Sequence, residues 1–356
     1  MSLQDLFERP QYSIPQQNKE AILLPALNEL TAYHLSRCPG YERIVSALKQ
    51  KPPARRLSDL PYLPVSLFKQ FELSSIDPER RFKVLTSSGT TGQAVSRIFL
   101  DEQTASDQTL ALTKIMTSIL GGQRLPMLIV DSKKLLNSRE KLSARAAGVV
   151  GMMSFGRHPV FVLNDDMELD VSALSNFLHK FGDAPFLIFG FTFMVWAYFL
   201  EKLKATGTDL SNAILVHSGG WKKLEELAVS NQVFHERFRE VTGLRRIYSF
   251  YGMVEQVGSV FLEGEDGYLY APNFADVIIR DPRTLEECPP GVAGVIQVLS
   301  LIPKSYPGHS LLTEDLGVLH GADDGSCGRH GKYFTVIGRV PKTELRGCSD
   351  VHAYSH

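Results

Sequence analysis

The chain has 356 residues, of which 44% are hydrophobic and 22% charged. That size and mix support one large or two medium domains with a substantial core, and they leave out a stapled mini-protein or a disordered chain. Thirty-eight Lys and Arg nearly balance 39 Asp and Glu, so no overall field draws the chain to nucleic acid or to an anionic membrane.

The N-terminus, MSLQDLFERPQ, carries acids where a signal peptide needs bases followed by an apolar run, which argues against secretion. Residues 1–75 read as a helical lead-in, with Ile22, Leu23, Leu27, Leu30 and Tyr33 at helical spacing and an interruption at PYLPVSLF. From Phe82 onward, apolar runs bounded by Gly, Ser or Asp alternate with longer periodic stretches: FKVLTSS, PMLIVDS, PVFVLND, FLIFG, AILVHSGG and RRIYSFYG. The alternation predicts an α/β fold with buried sheets. The most apolar window, Ala184 to Leu200, is uncharged but short for a membrane span and broken by Gly190 and Thr192, so it reads as a core βα unit. From about 268 to 339 short strands with Pro and Gly turns form a β-rich part, and residues 340–356 form a C-terminal arm.

Four cysteines, at 38, 288, 327 and 348, show no CxxC spacing. Cys327-x-x-His330 lacks the second pair that zinc requires, so the thiols are expected to be reduced, in a cytoplasmic protein.

The stretch LTSSGTTG, Leu85 to Gly92, follows a strand end with a run of small residues. Gly89 and Gly92 permit turn conformations, and consecutive amides with the hydroxyls of Thr86, Ser87, Ser88, Thr90 and Thr91 can surround a polyphosphate. It is not a Walker A loop, because Gln93 stands where that motif needs Lys. Arg97 is the nearby candidate to supply positive charge. A polar surface turn is the plainer alternative for this loop taken alone.

Three later segments add to it. HSGG (217–220) brings Gly219 and Gly220; FYGMVEQ (250–256) brings Tyr251, Gly252, Met253 and Glu255; LTEDLG (312–317), with IGR (337–339), brings Asp315 and Arg339. Tyr251 offers a face for adenine, Gly252 allows close backbone approach, and Glu255 can hold Mg²⁺ between nucleotide oxygens. Asp315, before an expected glycine turn, can accept both ribose hydroxyls, and Arg339 can reach the ribose or the phosphate.

In this order the four segments resemble the adenylate-forming superfamily of acyl-CoA synthetases, luciferases and peptide-synthetase adenylation domains. The closer resemblance is to the acyl-protein synthetases of bacterial luminescence, carried by SSGTTGQAVSRIFLD, HSGGWKK, YGMVEQVGSVF, IIRDPRT, SYPGHSLLTEDLG and GRVPKTELRGCSD. It implies an adenylating domain over residues 1–339 without the usual mobile C-terminal domain, and an arm that carries an acylated cysteine at Cys348. It further implies ATP and Mg²⁺ as cofactors, a fatty-acid substrate, and an acyl-accepting reductase or carrier protein as partner. Alternatives are a coenzyme A ligase of the phenylacetate type, an enzyme that loads a carrier protein, and a nucleotide-binding module. Departures from the superfamily pattern are Gln93-Ala94-Val95 in place of a Lys after TTG, Val254 before the Glu, and Val340-Pro341 in place of a hinge aspartate. Lys342 and Arg346 would replace the missing domain's Lys only in part. Phe186, Phe189, Phe191, Phe193 and Trp196 either line an acyl pocket or fill the core.

Overall fold

A computed structural model describes residues 1–87, 95–137, 144–221, 226 and 228–340. Helices α1 (Leu3–Glu8), α2 (Gln16–Arg37) and α3 (Pro39–Ala47) open the chain, followed by the short strand β1 (Leu63–Pro64) and the one-turn helix α4 (Leu67–Gln70). A ribbon of β2 (Lys83–Thr86) and β3 (Arg97–Leu100) leads into α5 (Glu102–Leu120). Strands β4 (Leu125–Ser132), β5 (Gly156–Leu163), β6 (Phe186–Phe191), β7 (Ala213–Ser218) and β8 (Arg246–Tyr251) then alternate with helices. These are α6 (Ala144–Met153), α7 (Val171–Phe181), a compound helix of α8 (Thr192–Met194), a π-helical turn Val195–Leu200 and α9 (Glu201–Leu203), and finally α10 (Asn231–Thr242). The last part is all strand: β9 (Phe261–Glu263), β10 (Leu269–Tyr270), β11 (Ala275–Arg280), β12 (Ala293–Ser300), β13 (Ser310–Ala322) and β14 (Lys332–Arg339).

Helix starts follow local chemistry. Asp101, Asp170 and Ser230 each accept a backbone N–H from the first turn of α5, α7 and α10, which satisfies a donor that the helix itself leaves open. The apolar runs become strands buried on both faces: Met127 to Val130 and Phe186 to Phe189 are at most 1% exposed, as a parallel sheet under helices demands.

Among the described residues, twelve strands form one sheet in the order β11-β12-β13-β14-β10-β9-β8-β7-β6-β4-β5, with β1 beside β13. β4 to β8 pair in parallel, and the direction changes where β9 joins β8 antiparallel. The β-rich part is thus continuous with the parallel part, and its first antiparallel strand begins at Phe261, earlier than the turn composition indicates. β2 and β3 form a separate two-stranded sheet.

The lead-in helices pack on the antiparallel half. Leu6, Phe7, Leu23 and Leu27 share one core with Phe274, Ile278, Val298 and Leu311, and β1 adds an edge by pairing parallel to β13. Of the apolar positions on α2, Leu23 and Leu27 are buried and Tyr33 is 37% exposed. Ala184–Leu200 is a strand followed by a helix, as expected. Phe186 and Phe189 are buried in the core, while Phe191, Phe193 and Trp196 are only partly covered. No helix of the described residues is long and apolar enough to cross a membrane.

Candidate functional site

The β2–β3 ribbon presents the glycine and hydroxyl loop. Thr86 stands opposite Arg97, and one step further the Ser87 N–H donates to the Ser96 carbonyl (3.2 Å) while the Ser96 N–H donates to Ser87 Oγ (2.9 Å). Ser87 and Ser96 therefore close the base of the loop. Ser88, Gly89, Thr90, Thr91 and Gly92 lie outside the described residues. Arg97 is exposed, with Nη2 3.5 Å from one oxygen of Glu72, whose other oxygen holds Arg81 at 2.6 Å. Its charge is shared with an acid that the sequence gives no reason to single out.

At the carboxyl end of β8, Tyr251 donates its hydroxyl to Asp315 Oδ2 at 2.7 Å. Arg339, the strand partner of Asp315 across β13 and β14, places Nε 3.7 Å from the other carboxylate oxygen. The three residues, far apart in sequence, meet although β9 and β10 separate β8 from β14 and β13 in the sheet, because the Tyr251 side chain reaches across them to Asp315. Burial, and then the Asp315 charge, push the Tyr251 phenol well above its ordinary value, so it stays a donor.

LTEDLG is not a turn but the middle of the 13-residue strand β13. Its glycine serves close approach: a Cβ on Gly317 would lie 2.6 Å from the Thr335 carbonyl oxygen and 2.8 Å from Ile296 Cδ1. The pairing of β13 with β14 shifts register between Leu316 and Gly317, which is the local irregularity that sets Asp315 against Arg339.

Glu255 sits in a 3₁₀ turn, Val254–Gln256, just after Gly252 and Met253. The turn is held from outside by two bonds: Tyr306 donates to the Glu255 carbonyl (2.9 Å) and Gln256 to the Gly308 carbonyl (2.8 Å). Glu255 is 6% exposed, and burial pushes its carboxyl up, opposed by neighbouring Ser96 at the base of the ribbon. Sequence reading missed Ser96 and Tyr306; SYPGHS, which contains Tyr306, carries no separate signal for this contact. Gly219 and Gly220 are exposed at the end of β7, and Gly219 takes φ +83, the left-handed region that favours glycine. Gly252 is likewise exposed and Met253 partly so.

Among the described residues no group of three or more His, Cys, Asp or Glu forms a metal cage. Glu255 still suits Mg²⁺, which is commonly bound through one or two carboxylates plus phosphate oxygens. Its surroundings penalise bare negative charge, the condition under which a carboxylate gains most from a cation. Cys348, Lys342 and Arg346 lie outside the described residues. Cys38 and Cys288 are buried and Cys327 half-buried.

The fold of this mixed sheet, with its glycine-bearing segments and the meeting of Tyr251, Asp315 and Arg339, is that of solved acyl-CoA ligases. Among solved structures, an open conformation of 2-hydroxyisobutyryl-CoA ligase in complex with 2-HIB-AMP and CoA superposes with TM-score 0.68 at 17% identity, over 94% of this chain and 78% of that one. ATP-bound MatB from Rhodopseudomonas palustris gives 0.50 at 16% identity, over 74% of this chain and 49% of that one. The family model "Acyl-protein synthetase, LuxE" matches residues 5–355. The chain belongs to this acyl-protein synthetase family and is, with it, an ATP-dependent acid ligase. It is similar to the long-chain-fatty-acid–luciferin-component ligase of Vibrio harveyi, 23% identical over 89% of this chain and 83% of that protein. The protein of the same name from Aliivibrio fischeri is 21% identical over 82% of this chain and 78% of its own length.

Proposed function

We propose that the chain activates a fatty acid with ATP and passes the acyl group through Cys348 to an acceptor protein. In the first step a carboxylate oxygen of the acid attacks the α-phosphorus of ATP; the bond to the β-phosphate oxygen breaks, giving acyl-adenylate and pyrophosphate. In the second the Cys348 thiolate attacks the acyl carbon and AMP leaves, so the acyl group becomes a thioester. Transfer to a thiol of a partner, such as an acyl reductase or carrier protein, exchanges one thioester for another.

The observation that carries this reading is the meeting of Tyr251, Asp315 and Arg339 at the end of β8, in the same FYGMVEQ segment that carries the buried Glu255. In this reading Asp315 takes the ribose hydroxyls with the lone pairs that Tyr251 leaves free. Gly219, Gly220, Gly252 and Met253 allow backbone approach to the nucleotide. Thr86, Ser87 and the loop beyond hold the phosphates, with Arg97 adding charge. Glu255 would hold Mg²⁺, which supplies Lewis-acid neutralisation of phosphate charge when bound. Positioning and preorganised donors do most of the work, since the carboxylate already is the nucleophile.

Residues 1–339 act as the adenylating unit and 340–356 as the arm. The Val340 N–H donates to the Glu314 carbonyl at 2.9 Å, next to Asp315. Cys348 thus starts its reach at the site, with roughly 27 Å of chain if fully extended. The test is ATP–pyrophosphate exchange over acids from acetate to stearate, with mass spectrometry of the protein, for wild type and Cys348→Ser. Exchange retained with the covalent acyl adduct lost in the variant is the expected result. Exchange in the wild type without any adduct would instead favour a free thiol such as coenzyme A as acceptor.

A further inference from the structure

A polar link crosses the apolar layer at the carboxyl ends of β6 and β7. His217, next to last in β7, is 4% exposed, and its Nδ1 lies 2.9 Å from Oγ1 of buried Thr192. Thr192 opens α8, directly before the π-helical turn Val195–Leu200. The same imidazole stacks on Phe234 with centroids 4.6 Å apart; Phe234 stacks on Trp196 at 5.5 Å, and Trp196 meets Trp221 edge-on at 5.6 Å. His217 is therefore joined to Trp196 twice, once through the helix start that sets its backbone and once through stacked rings.

Trp196 and Trp221 are partly exposed, and Trp221 directly follows Gly219 and Gly220. Phe191, at the end of β6, lies where a Cβ on Gly219 would be 3.3 Å from its ring. The aromatic wall thus borders the glycine pair at the candidate site and offers apolar surface to a hydrocarbon chain.

A buried imidazole is an expensive way to fill this space, because its Nε2 has no hydrogen-bond partner among the described residues. Leucine would fill similar volume without a polar atom to satisfy. What leucine lacks is a directed bond to Thr192 and a flat ring for Phe234. A π-helical turn is also rare in proteins and tends to occur at functional positions. Both features fix the rotamer and height of one side chain, Trp196.

We propose that His217 is a positioning residue that holds the Trp196–Trp221 wall and thereby caps the length of acid the enzyme accepts. The proposal rests on the acid-activating reading above and adds the residue that sets its substrate range. One methylene in an apolar pocket changes selectivity by roughly 10–200-fold, so a small displacement of the wall is readable in kinetics.

The experiment measures kcat/KM for pyrophosphate exchange over straight-chain acids of increasing length, together with KM for ATP, on the full chain. His217→Leu, Thr192→Val and Trp196→Ala are each expected to raise the ratio of longer acids to the wild-type optimum by at least about tenfold, with KM for ATP unchanged. Thr192→Ser, which keeps the hydroxyl, is expected to keep the wild-type profile. An even loss over all acids, or an unshifted profile in both His217→Leu and Thr192→Val, overturns the proposal, even where Trp196→Ala shifts it. Should His217→Leu fail to fold, the Thr192 pair decides alone. A wild type that exchanges with no acid defeats the acid-activating reading itself, a result distinct from an unshifted profile.

Discussion

Tyr251 enters the candidate site through its hydroxyl. Its ring is held by Phe261 and Phe334, at 6.1 and 6.2 Å between centroids, and this fixes the direction of the bond to Asp315. A hydrogen bond to a charged group contributes about 1.5–3 kcal/mol. By contrast the Arg339 contact involves a side chain 78% exposed, and an ion pair of that kind is worth little. Tyr251→Phe is therefore expected to loosen Asp315 more than Arg339→Ala does. If Asp315 receives the ribose, KM for ATP should rise by roughly tenfold, the equivalent of about 1.4 kcal/mol, with kcat little changed. Steady-state exchange kinetics on the two variants read this directly, and an unchanged KM in Tyr251→Phe would remove Asp315 from nucleotide binding.

At the scale of elements, β13 shows what local sequence conceals. Thr313, Asp315 and Gly317 resemble a turn because Asp and Gly, and more weakly Thr, favour one in isolation. They are extended here because β12 and β14 flank them and supply backbone partners from elsewhere in the chain. The parallel strands were legible for the opposite reason: burial on both faces demands unbroken apolar runs, which no turn produces. The lead-in helices were legible as helices, but their docking face was not, since buried Lys19, Thr31 and His34 sit on it beside Leu23 and Leu27. The same division holds at the site. Glycine, hydroxyl and aromatic residues mark the four segments, whereas Glu72 and Tyr306, which touch Arg97 and the Glu255 turn from outside those segments, leave no local mark. Gly317 tests the strand reading. Gly317→Ala sets a methyl against the Thr335 carbonyl and Ile296, so β13 and β14 must separate locally. An overpacking cost of about 1–3 kcal/mol is expected, with a rise in KM for ATP because Asp315 lies two residues away. Urea unfolding and exchange kinetics on one preparation check both, and a neutral variant would show that the bulge yields freely.

Over the whole molecule, the lead-in and the antiparallel half of the sheet are joined by a core that also contains imidazoles. Phe7 and Leu27 are fully buried in that core, so Leu27→Ala should lower stability by about 2–5 kcal/mol in urea unfolding. At the same joint His34 stacks on His309 at 4.9 Å, with His34 bonded to Ser75 and to the Pro303 carbonyl, and His309 to Thr31. Burial holds His34 and His217 down to about 4, from an ordinary 6.5, and His309 well below its ordinary value. A depressed histidine favours the neutral form in the fold, so as pH falls through the window from 6.5 to 4 the unfolded chain takes up protons that the folded one refuses. Stability is therefore full above this window and drops within it. Glu263 adds a loss at lower pH. Burial alone would raise its carboxyl, yet His235 and Asn231 hold it down to about 2 from an ordinary 4.5, so its contribution fades only as pH falls below about 4.5. Urea midpoints at about pH 7.5 and about pH 5 should then differ by a margin that exposed histidines cannot produce. His34→Gln keeps a polar partner for Ser75 but cannot take a proton, so it should reduce that dependence by the share of His34, leaving that of His309 and His217, with a constant cost at neutral pH. Equal slopes in wild type and variant would mean that the lead-in opens before its histidines are tested, and the sheet would then unfold separately from the helices that cover it.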